Sequence, residues 1–390
     1  MKKTLIALFA FMSFLFAKEI VITKYLENKP KIVINYIGPT QVKKILDMDM
    51  KVLDHFQYTY NDANATNANM KFNFTYNKAK KTLTVKYIKN NNVVLTRIYK
   101  SNTYAFFPFL VHKAVYDINE YFHLPSAKFL IRKVIYSILV APKESAIYLS
   151  DYTLSYKRRL ISGGLNIFPK WADEKQTTIY YTKLQRKADL YKYNIYTGKK
   201  EKILSSQGLL IVSDVKDGKL LVTMAPNGQP DVYMFDPNTK NLTQITSYPG
   251  IDVNGKFWGD DKIVFVSDRY GVPYVFSKDL QSGNITRVLY HGKNQVGVDA
   301  YKNFLVVSTR ETDNAFKPNT FNLFLLNKDD DSLKRLTFGG QNMFPNFSVD
   351  GSSIMFIKRE NFSSKIGIIR LNENKVFYYP LPKILQSFDW

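Results

Sequence analysis

From Phe129 onward the sequence keeps returning to one pattern, and that recurrence restricts the fold more than any other feature. The segments ADLYKYNIYTGKKEKIL (188–204), PDVYMFDPNTKNLTQIT (230–246) and PYVFSKDLQSGNITRVL (273–289) share one plan. Each has a small residue or proline, an alternating apolar strand, a polar turn rich in Asp, Asn or Gly, and a second strand. Fainter copies lie at 146–161, 322–337 and 366–381. Glycines at 164, 208, 250, 292 and 340 mark the unit ends, and another apolar run precedes each middle segment, such as KLLVTM, KIVFVSD or FLVVSTR. Four strands in roughly 40–50 residues is the signature of a propeller blade; leucine-rich repeats are shorter and helical arrays carry a 3.6-residue period. The expected fold over 128–390 is therefore an all-β six-bladed β-propeller with four-stranded blades.

The first unit lacks the innermost strand that opens the others, seen as NIFPKW (166–171) and NMFPNF (342–347). The C-terminal LQSFDW (385–390) resembles it, with Trp390 in the place of Trp171 and Phe347. An open ring would expose an unpaired strand edge. The last residues are thus expected to pair into the first blade and close the ring.

Ahead of the repeats, 18–127 reads as an α+β domain with an N-terminal tail. Lys31–Ile37 is a strand ended by Gly38-Pro39. Val42, Ile45, Leu46, Leu53 and Phe56 recur at helical spacing, with Thr40 as N-cap. Strands follow at 70–76, 82–88 and 93–99, the last two joined through Lys89–Asn92, and a second helix runs from Pro108 to Phe122 with Leu110, Ala114, Val115 and Ile118 along one stripe. One sheet covered by two helices accommodates these elements. Residues 1–17 read as an export signal: Lys2 and Lys3, an apolar run from Leu5 to Phe16 too short to span a bilayer, and Ala17 as the cleavage point.

Cysteine is absent from all 390 residues, which excludes disulfides, thiolate metal sites and a cysteine nucleophile, and suits a periplasmic protein held by packing alone. The formal charge of +22 favours acidic surfaces; export argues against nucleic acid and for peripheral association with the envelope. The chain contains neither a G-x-S-x-G elbow nor a His-Glu-x-x-His pair. The four histidines are scattered, and His112 falls on the polar side of the second helix, where a surface residue is expected. Asp329-Asp330-Asp331 lacks the spacing of a calcium loop and reads as a solvated turn. A monomer without cofactor, metal or catalytic residues is the expectation. The alternative is an exported propeller that binds or hydrolyses a small molecule or glycan in its channel.

The signal segment, the small α+β domain, the repeats with LYxxDxxTG-like turns, the SDY element (150–152) and the closing strand together resemble the TolB family of the bacterial Tol-Pal system. That family's SPDG turn survives recognisably as SVDG (348–351). The resemblance implies a non-catalytic periplasmic scaffold that supports outer-membrane integrity and constriction during division. One propeller mouth would bind the peptidoglycan-associated lipoprotein Pal, and the tail would bind TolA. On the repeat positions that match, the implied Pal contacts are Asn166, Phe168, Gln207, Asp252, Asn294, Gln295, Asn342, Met343 and Phe344. The implied TolA contacts are Lys18, Glu19, Ile20, Val21 and Ile22. Separately, Asp62-Ala63-Asn64-Ala65-Thr66 resembles an extended acidic glycosylation sequon, with Asn64 as acceptor.

Overall fold

The computed structural model describes residues 29–61, 70–381 and 383–390. The expected export signal (1–17), the tail residues Lys18–Ile22 and Asn64 lie outside the described residues.

The N-terminal domain is one mixed sheet with two helices. Strand β1 (Lys31–Ile37) leads into helix α1 (Thr40–Leu53), which returns to a short strand, β2 (Gln57–Tyr60), parallel to β1. The sequence reading missed β2, since four residues in the pattern exposed, half-buried, exposed, half-buried give almost no periodic signal. Strands β3 (Met70–Asn77), β4 (Thr82–Lys89) and β5 (Asn92–Lys100) complete the order β2-β1-β3-β4-β5, with β1 and β3 parallel. The β4–β5 turn places Asn90 and Asn91 at φ 50° and 64°, the left-handed pair that a twisted two-residue hairpin requires and that Asn tolerates. Helix α1 buries Val42, Ile45, Leu46 and Leu53, as its spacing requires. Its start differs from expectation: Pro39 is the cap residue, Thr40 is already helical, and no side chain caps the first turn. Proline, with no N–H to satisfy, serves at that position. Helix α2 (Phe107–Tyr121) buries Leu110, Ala114 and Val115.

Strand follows strand from Val134 onward. Leu210–Gln244 and Asp252–Arg287 each form a four-stranded antiparallel sheet. Two eight-stranded sheets each divide into two antiparallel groups of four, joined only by single parallel bridges, Ser145↔Leu165 and Phe321↔Gln341. The result is a β-propeller domain whose first strands converge on a central channel. In the group containing β6 (Val134–Ala141), β7 (Glu144–Ser150) and β8 (Arg158–Ile161), the innermost member is Leu385–Asp389, antiparallel to β6 with Phe388 opposite Tyr136 and Asp389 opposite Ile135. Leu385, Phe388 and Trp390 are buried, and Trp390 Nε1 donates to Phe347 O at 3.1 Å. Deleting Gln386–Trp390 removes two buried aromatics and a ladder of hydrogen bonds, so stability should fall by about 5 kcal/mol or more. An unchanged thermal melt of the truncated chain would refute that accounting.

Candidate functional site

Each first strand is irregular midway. Its register against the second strand shifts at Tyr180/Thr182, Val212/Asp214, Val253/Lys256, Lys293/Gly297 and Met343/Asn346, and the C-terminal strand shifts at Leu385/Ser387. Phe168, Asn254 and Phe344 take left-handed backbone at these bulges, with φ of 52°, 57° and 54°. A bulge re-aims the side chains that follow it. Above the bulges, Phe168, Phe344 and Phe388 help line a cavity of about 120 Å³. Beyond them the channel opens into a mouth of about 700 Å³, and the two spaces meet at Lys170 and Asn346.

At that meeting point, corresponding positions of successive groups carry Asp389, Lys170, Asp214, Lys256, Asp299 and Asn346. Negative and positive charges alternate around this belt until the asparagine. Lys170 Nζ lies 2.8 Å from Asp389 Oδ1, and Lys256 Nζ 3.1 Å from Asp299 Oδ1. The carboxylates also join neighbouring groups through the backbone: Trp171 N donates to Asp389 (2.8 Å), Phe257 N to Asp214 (2.9 Å) and Phe347 N to Asp299 (2.7 Å). Burial alone would lower the Lys170 pKa, but the charges of Asp389, Asp214 and Asp299 outweigh it and hold the ammonium protonated. Burial raises the Asp214 carboxyl against the opposing pull of Lys256 and Lys170. The belt was missed in the sequence, although a signal existed. Aligning NIFPKW, NMFPNF and LQSFDW on their final aromatic puts Lys, Asn and Asp in one column.

The expected partner residues divide sharply. Asn166, Asp252, Gln295 and Asn342 are at most 1% exposed, which corrects their assignment as contact side chains. Asn166 Nδ2 donates to the carbonyls of Ser145, Gly163 and Gly164, and Asn342 Nδ2 to those of Phe321 and Gly339. Gln295 accepts from Val275 N at 2.7 Å and donates to His291 O, while Asp252 pairs with Arg269 at 3.1 Å. These four brace the loops from inside. Phe168 and Phe344 are half-buried in the channel, Asn294 and Met343 are half-buried near its rim, and Gln207 is exposed.

The rim carries stronger contact candidates that the sequence reading passed over. In an antiparallel group, the loop after the second strand and the loop into the next group open at the end where first strands begin. On that face stand Tyr270, Tyr290, Phe316, Phe338 and Phe362, from 64% to 101% exposed. Each is a single aromatic among turn residues, as in DRYGV or ENFSS. Arg287 and Arg335 stack over Tyr290 and Phe338 at 4.7 and 4.5 Å from the ring centres.

Comparison with known proteins agrees with this architecture. A family model described as the TolB beta propeller domain matches residues 132–374. The Tol-Pal system protein TolB of Campylobacter jejuni strain RM1221 is 42% identical over 408 residues, covering 100% of both chains. That of Wolinella succinogenes is 38% identical over 421 residues, again covering 100% of both. The chain belongs to the TolB family. The crystal structure of TolB from Acinetobacter baumannii, 16% identical, shares the fold with a TM-score of 0.76 over 93% of this chain and 96% of that one.

The SDY element that carried part of the family resemblance sits at the junction of the two domains. His112 of α2 is fully buried there, which corrects the expectation of a surface histidine. Its Nδ1 lies 2.8 and 3.0 Å from the Asp49 carboxylate of α1, and its Nε2 3.2 Å from Asp151 of the propeller. Tyr152 Oη donates to Asp49 at 2.6 Å, and Asp151 is further held by Thr153 N and Tyr156 N. With a carboxylate at each ring nitrogen, both must carry protons, so this histidine is an imidazolium. Burial by itself would lower its pKa, but Asp49 and Asp151 together raise it to about 9. A second buried histidine spans the junction, with His55 Nε2 2.6 Å from Glu373 and Nδ1 2.6 Å from Asn119. A raised histidine pKa stabilises the fold fully below the unfolded value of 6.5, and the benefit disappears as pH rises through about 9. Denaturant unfolding at pH 6 and 9.5 should differ by on the order of 3 kcal/mol, and His112→Asn should flatten that dependence. Equal slopes for the two proteins would remove His112 as the cause.

Proposed function

We propose that this chain is a non-catalytic periplasmic component of the Tol-Pal system, exported through a cleaved 1–17 segment and supporting outer-membrane integrity and constriction at division. Its six four-stranded groups act as blades of a ring that Leu385–Asp389 closes, and the rigid ring presents one loop face to a protein partner. The partner at that face is the lipoprotein Pal, while Lys18–Ile22 bind TolA. The observation that carries the reading is the set of five exposed aromatics confined to loops around one channel mouth. Large exposed aromatic surface beside arginine marks binding hot spots, because both give up water at little conformational cost. Gln207, Asn294 and Met343 add polar and soft contacts nearer the axis, with Phe168 and Phe344 deeper in the channel. The curated relatives carry the name Tol-Pal system protein, which supports the same assignment. A catalytic role in the channel gains no comparable support: the buried histidines His55 and His112 are engaged at the domain junction, away from the channel.

Phe316→Ser combined with Phe362→Ser should weaken Pal binding by about 2–4 kcal/mol in calorimetry while leaving the melting temperature unchanged, because neither ring is packed. Deleting Lys18–Lys24 should abolish TolA binding alone. Wild-type Pal affinity in the double variant would overturn the assignment of this face.

A further inference from the structure

The belt has six stations and five charges. Asp389, Asp214 and Asp299 supply carboxylates, Lys170 and Lys256 ammoniums, and the sixth station, between Asp299 and Asp389, is Asn346. The alternation elsewhere implies a positive charge at that station. Asp389 and Asp299 each hold a lysine on the far side from Asn346, at 2.8 and 3.1 Å. Toward the asparagine, Asp389 accepts from the Asn346 amide at 3.5 Å, the limit of a hydrogen bond, and Arg132 on the wall of the mouth is a further cation in its field. In the same channel, the Gln386 Oε1 atom is buried with no hydrogen-bond partner among the described residues.

The approach to the sixth station has the same sign. The mouth of about 700 Å³ that leads to the belt adds Asp173, Glu174 and Asp217 to its wall, against Arg132 and Lys216. In a chain of formal charge +22, this cleft is a local concentration of negative charge, and a cleft focuses such a field on whatever enters it. A divalent metal is a poor occupant: two ammoniums already stand in the belt, and the described residues offer no group of three or more metal-ligating side chains. A monovalent organic cation is compatible with both neighbours.

We infer that the station at Asn346 receives a primary ammonium group on an aliphatic stem, bound between Asp299 and Asp389 with Asn346 Oδ1 as a third acceptor. An ammonium has three donors and no acceptor, which matches this set. The stem extends back into the wide mouth, along Phe347 and Trp390 on its wall. Two sources carry this chemistry: a free aliphatic diamine, or a lysine side chain of a docked protein. The site stands whether or not Pal docks on the aromatic face.

The test titrates the full chain with 1,5-diaminopentane by calorimetry and compares two variants. Asn346→Lys places a built-in ammonium at the sixth station. It should raise the melting temperature above wild type and weaken diamine binding at least tenfold. Asn346→Met removes the amide but leaves the charge deficit, so it should melt no higher than wild type. Titrating Nα-acetyl-lysine amide in parallel with the diamine separates the sources. Tighter binding of the capped lysine assigns the station to a protein's lysine side chain, and tighter binding of the diamine assigns it to a free amine. The inference is overturned if wild type shows no saturable diamine binding, or if Asn346→Lys melts no higher than Asn346→Met.

Discussion

The carboxylate of Asp389 is the junction on which most of the propeller geometry depends. One oxygen accepts the backbone N–H of Trp171, and the other faces the Lys170 ammonium. The strand that carries it pairs with β6, so Ser137 and Ser387, 250 residues apart, share a hydrogen bond of 2.7 Å. Bringing such distant segments together costs roughly 5 kcal/mol in chain entropy, because the cost grows only with the logarithm of loop length. Burying Leu385, Phe388 and Trp390 stabilises by about 1.5–3 kcal/mol apiece, which offsets it. A buried charge that loses its partner is strongly destabilising, so Asp389 also enforces the register of that pairing.

The same device is reused around the channel. Asp214 and Asp299 hold the N–H groups of Phe257 and Phe347 as Asp389 holds that of Trp171, linking first strands in pairs. Side chains are therefore fixed at the axis by strand bulges and by charge, while the loops outside carry little of the stability. The aromatic rim is free to be exposed for that reason. Phe316 and Phe362 contribute nothing to the core, and their loops are shaped by turns that the rigid strands anchor.

The two domains are joined by chemistry of a different kind. His112 and His55 belong to the N-terminal domain and bond propeller carboxylates, Asp151 and Glu373, out of contact with water. Around them Phe129, Tyr152, Tyr379 and Trp390 belong to the same apolar cluster as the α1 and α2 side chains. Leu385 and Phe388 of the C-terminal strand, with Trp390 just after it, belong to this cluster too, so the domain junction and the first group of propeller strands share one core.

Repeat spacing, alternation and turn chemistry are local properties, and they specified the strands other than β2, the two helices and even the odd C-terminal hexapeptide. NIFPKW, NMFPNF and LQSFDW announced an inner strand because each is itself a short-range pattern. Which face of a residue meets water is not local. Asn166 and Asn342 looked like rim amides until the neighbouring loops folded over them, and His112 looked solvated until Asp151 arrived from a strand in the other domain. The β2 strand exists only because β1 offers it an edge. The charge belt is the clearest case: six residues scattered from Lys170 to Asp389 acquire one meaning only when the propeller brings them to a common channel, since Coulomb interactions act through space and a sequence records order alone.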